Sequence, residues 1–92
     1  MTYSAEQFDE MEHNPVLARC YFWQVAMNAR RTAKARRRAV RAQAVHSSPV
    51  AFAEVAADAR DELHWADSEE RFADVILANL DTLVKSSCRG EN

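Results

Sequence analysis

The sequence predicts an all-α protein, a small bundle of three to four helices around a long second helix, and three observations carry that expectation. One glycine and two prolines in 92 residues are too few to turn the corners of a many-stranded sheet. Alanine is abundant and interleaved with Arg, Glu, Leu and Lys, the residues that lose least on entering a helix. Apolar residues recur at three- and four-residue intervals, the period of a helix face. An apolar share of 48% and a charged share of 28% match an ordinary globular chain and argue against wholesale disorder or a lipid-embedded polypeptide. The length suits one core, so residues 1–92 are expected to form a single helical domain.

Ser4 and Gln7 have the spacing of a capping box and predict a short first helix over residues 5–13, with Phe8 and Met11 on its inner side and Glu6, Asp9, Glu10 and Glu12 in water. Asn14 before Pro15 is an N-cap followed by a proline at the first helical position. Nothing that breaks a helix recurs before Ser47-Ser48-Pro49, so the second helix is long. From Val16 to Met27 its large apolar side chains, Leu17, Tyr21, Phe22, Trp23 and Val25 among them, point in every direction, which predicts that this half is enclosed and Trp23 buried.

Ser48 and Pro49 repeat the start signal for a third helix, whose Phe52, Val55, Ala56, Ala59, Leu63 and Ala66 form one inward stripe. Beyond Ala66 the pattern admits two readings. Asp67 with Glu70 resembles another capping box, which starts a fourth helix at Ser68. Alternatively, an unbroken helix over residues 50–84 completes a long antiparallel helical hairpin, at the cost of a seam position for Glu70, a charge that needs a partner. Residues 86–92 read as a disordered tail.

The net charge of −2 conceals a segregation of sign along the chain. Arg30, Arg31, Lys34, Arg37, Arg38 and Arg41 occupy about a third of the helix circumference at about 100° per residue, and Arg36 alone leaves that band. Such a band can follow a phosphate backbone, which makes a DNA- or RNA-binding module one alternative. No zinc-finger spacing, leucine zipper or interleaved aromatic accompanies it. The bland reading is internal neutralisation, in which a turn at Ser47 brings Glu54 near Arg41, Asp58 near Arg37 and Arg38, and Asp61 or Glu62 near Lys34. Trp65 falls among acids, either as an interface anchor or as a cation–π cover over Arg30 or Arg31.

Support for chemistry is thin. Glu10 with His13 and Asp61 with His64 have the three-residue spacing of helical di-metal sites, but such sites need two Glu-x-x-His pairs and two further inward glutamates, so the spacing is weak evidence. His46 beside Ser47 and Ser48 lacks a third orienting group, and the only glycine, Gly90, forms no phosphate loop. No catalytic, cofactor-binding or metal-binding residues are therefore assigned. Cys20 and Cys88 permit one bridge at most; Cys20 is expected to pack as a reduced thiol, which suits a cytoplasmic setting. Acids occupy the start of the chain where a signal peptide needs basic residues, and no segment has the length of a membrane span, so a membrane association is not expected.

The expectation is thus a non-enzymatic protein that binds a larger macromolecule. Its size and its acidic, basic and acidic segments suit a phage or mobile-element inhibitor of a host protein or nucleoprotein complex, the type to which anti-CRISPR proteins and polymerase inhibitors belong, and this is an analogy of type alone. The expected recognition surface joins Arg30, Arg31, Lys34 and Arg38 on one helix to Asp58, Asp61 and Trp65 on the next. A homodimer closed around Tyr21, Phe22 and Trp23 is the remaining alternative.

Overall fold

Three start signals act as their local chemistry demands. In the computed structural model, which describes residues 3–88, Ser4 Oγ accepts from the Gln7 backbone N–H while Gln7 Oε1 accepts from the Ser4 N–H, which opens α1 (Ala5–Met11). Asn14 Oδ1 accepts from the N–H groups of Val16 and Leu17, and Pro15 begins α2 (Pro15–His46). Ser48 Oγ accepts from the Ala51 N–H ahead of α3 (Pro49–Glu54). The chain continues as α4 (Ala56–Ala78) and α5 (Leu80–Ser87), so all five helices among the described residues are α-helices and no strand is present there.

The architecture is all-α around a long second helix, in the form of an extended hairpin. At about 1.5 Å per residue α2 is about 48 Å long, and it sets the long dimension of a body 61 × 23 × 15 Å across. The arm formed by α3, α4 and α5 returns antiparallel along it, and α1 folds over its beginning. Tyr21 meets Tyr3, Phe8 and Phe22 edge to face at ring separations of 5.1 to 5.3 Å, and these rings close that end.

Small residues make the seam between the arms. Ala26 and Ala33 on α2 and Ala59, Ala66 and Ala73 on α4 are buried at seven-residue intervals, which keep one face of each helix toward the other. Ile76, Leu77, Leu83, Val25 and Phe22 thicken this seam toward α5. At the aromatic end a second cluster joins Met11, Ala18, Val84 and Cys88.

The return arm bends at two places and neither is Ser68. Val55, at φ −111° and ψ 10°, separates α3 from α4, and Asn79, at φ −115° and ψ 21°, separates α4 from α5. Asn79 turns its side-chain amide back onto the Val75 carbonyl at 2.8 Å, the competition with the helix ladder that asparagine is prone to. The cap signal at Asp67 and Glu70 is overridden because both carboxylates are engaged by Arg37.

Three further expectations are corrected. The half of α2 from Val16 to Met27 is not enclosed, since Val16 is 72% and Trp23 51% exposed; the return arm and α1 cover only part of its circumference. Cys20 is exposed, and the buried thiol is that of Cys88, whose Sγ lies 3.5 Å from the Met11 carbonyl oxygen. Residues 86–88 belong to the folded body, with α5 running to Ser87 and Cys88 buried against Met11, whereas residues 89–92 of the expected tail lie outside the described residues.

Candidate interaction surface

Ion pairs between the two arms sort the basic side chains of α2 into two groups. Arg30 Nη2 donates to Asp74 Oδ1 at 2.9 Å, and Arg37 donates to Asp67 Oδ1 at 2.7 Å and to Glu70 Oε2. Arg36 donates to Glu62 Oε2 at 2.8 Å and to Glu69, and Arg19 meets Asp81 near the aromatic end. These hydrogen bonds raise the pKa of Arg36, chiefly through Glu62, and that of Arg37, chiefly through Asp67; the Arg19 hydrogen bond holds the Asp81 carboxyl below the usual aspartate range.

Internal neutralisation therefore occurs, but in another register. Arg37 meets Asp67, nine positions beyond the expected Asp58, and Glu62 goes to Arg36 rather than Lys34. The reason is that α3 and the bend at Val55 consume chain in the turn, which displaces the return arm by about two and a half helical turns. Arg31, Lys34, Arg38 and Arg41 are left without a carboxylate partner among the described residues; Arg31 reaches only Asn28 Oδ1, at 3.5 Å.

The expected recognition residues do not form one surface. With Ala59, Ala66 and Ala73 turned inward, Asp67 and Asp74 lie about 80 to 100° to one side of the seam and Asp58, Asp61 and Trp65 about 80 to 140° to the other. Arg30 and Arg37 bond to the Asp67 and Asp74 side, so the basic band belongs to that face. Arg30, Arg31, Lys34 and Arg38 are thus separated from Asp58, Asp61 and Trp65 by the thickness of the hairpin. Trp65 is 58% exposed on the far face, away from Arg30 and its bond to Asp74.

On the basic face the structure adds two residues, Trp23 and Met27, from the half of α2 whose apolar pattern predicts burial. Trp23, Met27, Asn28, Arg30, Arg31 and Lys34 line a shallow trough whose walls come from α2 alone. Trp23 stands seven residues before Arg30 and eleven before Lys34, spacings that return to one side of a helix. That periodicity is the signal in the sequence that sets Trp23 beside the cations. The surface pairs an aromatic and a thioether with positive charge, a combination suited to binding a mixed apolar and acidic surface.

Among the described residues no group of three or more His, Cys, Asp or Glu side chains is placed to hold a metal ion, and no helix is long and apolar enough to cross a membrane. Comparison with models of protein families, with curated proteins and with solved structures finds no match to this chain.

Proposed function

We propose that the chain is a non-enzymatic binding protein that docks its basic face, Trp23, Met27, Arg31, Lys34, Arg38 and Arg41, onto an acidic patch of a larger protein or nucleoprotein complex, in the manner of a phage or mobile-element inhibitor. The observation that carries this reading is the row of four cations, without carboxylate partners among the described residues, that runs on into the half-exposed Trp23. Unpaired charges steer association, and a tryptophan beside them supplies the anchor that interfaces favour.

The neighbouring α4 edge argues for protein over nucleic acid. Asp67, Glu70 and Asp74 flank the cations and remove Arg30 and Arg37 from them, so a phosphate backbone laid on this face meets carboxylates within the same footprint. Arg31, Lys34, Arg38 and Arg41 span about 15 Å of helix, a short track for a nucleic acid.

Capture from host extract on the immobilised chain, with and without nuclease, tests the reading. A protein retained after nuclease treatment, and released when Arg31, Lys34 and Arg38 are changed to Gln or Trp23 to Ala, supports it. Retention that nuclease abolishes, together with direct duplex binding that weakens steeply with salt, replaces it with the nucleic-acid alternative.

A further inference from the structure

The face opposite the basic one carries a second pair of stripes that the hairpin does not use. On α4, Asp58, Asp61, Trp65, Ser68, Phe72 and Val75 succeed one another at three- and four-residue steps, the spacing of a helix seam. Trp65 and Phe72 stand out from it at 58% and 54% exposed. On α2, Thr32, Ala35, Ala39 and Ala42 keep the same steps, and no charged residue interrupts them. Thr32, Ala35, Ala39 and Ala42 are all exposed. One helix thus presents large aromatic knobs and its neighbour a row of small and neutral side chains.

The two stripes are matched in level. The register that sets Arg37 beside Asp67 and Arg30 beside Asp74 places Trp65 level with the turn from Ala35 to Ala39, and Phe72 level with Thr32. A two-fold axis along the rod, outside this face, lays each aromatic stripe onto the other copy's small stripe at the same height. It also makes every neighbouring pair of helices antiparallel, as α2 and α4 already are. A face that carries both halves of its own complement is what an isologous interface requires.

The geometry points to a second copy of this chain as the occupant of the face, in an antiparallel four-helix bundle with Trp65 and Phe72 seated on the partner's small stripe. The charges agree with this. Arg36, the cation nearest this face, is held by Glu62 and Glu69. Asp58 and Asp61 come level with Gln43 and His46 of the other copy's α2, so no like charges are brought together. From Asp58 to Val75 the face is about 25 Å long, and with a body 23 Å wide it offers on the order of 600 Å² per copy, the lower end of a standard specific interface. The arrangement leaves the basic face open, so it stands or falls apart from the binding reading above.

Sedimentation equilibrium on the intact chain tests it. At about 50 µM, a concentration that populates any micromolar dimer, the expected mass is twice the 10.5 kDa of one chain. Changing Ala35 and Ala39 together to Arg, both exposed in the single chain, is expected to return the mass to 10.5 kDa with helicity by circular dichroism unchanged. A single-chain mass for the unaltered protein overturns the proposal, as does a dimer that survives the double change. Should the double variant lose helicity, iodide quenching of Trp65 in a Trp23→Phe chain decides. Quenching that falls as concentration rises supports the bundle, and quenching independent of concentration overturns it.

Discussion

The guanidinium of Arg37 bonds the carboxylate of Glu70 across the seam between the arms, and this contact allows α4 to pass without a break through a sequence written like a helix start. A glutamate at a seam position is costly alone and acceptable once paired. Asp67, the residue with the character of an N-cap, is taken up by the same guanidinium at 2.7 Å.

Arg37→Ala is therefore expected to lower the thermal midpoint by roughly 2 to 5 °C in low salt, and by less in high salt, where exposed pairs are screened. Thermal melts recorded by circular dichroism at two ionic strengths check this. A loss independent of salt would assign the effect to packing of the arginine stem.

Ala66 is fully buried at the centre of the alanine seam. Ala66→Leu is expected to destabilise the fold by about 1–3 kcal/mol through forced separation of the arms, despite the higher hydrophobicity of leucine. Urea denaturation measures the difference; an unchanged or raised midpoint would show that the arms part freely.

Asp81 is held below its ordinary value, about 3.9, by the hydrogen bond from Arg19. The stabilisation from this pair is therefore complete above that ordinary value and is lost as pH falls through the lowered one. Arg19→Gln should melt below the unaltered protein at neutral pH, and the two curves should converge in strong acid. A gap that persists at low pH would refute the role of the pair.

The two thiols should differ in reactivity, since Cys20 is exposed and Cys88 is buried against Met11. In native conditions a thiol reagent is expected to modify Cys20 quickly and Cys88 only as the chain unfolds. Mass spectrometry of the early product checks which cysteine reacts first, and early modification of Cys88 would contradict its burial.

The sequence alone determined the helical class and the first residue of three helices, because capping is chemistry between a side chain and a backbone N–H two or three residues away. Ser4 with Gln7, Asn14 with Pro15 and Ser48 with Pro49 act within one turn and need no other part of the chain. The inward stripe of Ala59 and Ala66 was legible for a similar reason, from periodicity. Tertiary structure decided the rest. Which carboxylate meets which arginine depends on how much chain the turn consumes, and α3 with the bend at Val55 moved the partner of Arg37 from Asp58 to Asp67. Trp23 reads as core because it is apolar among apolar neighbours, yet it is half exposed since only one side of α2 meets a second helix and the cover over it ends short of that residue. The separation of the basic band from Trp65 likewise comes from the rotation of α4 about its own axis. That rotation is set by the alanines that let the two arms approach, and through them by the packing of the whole hairpin.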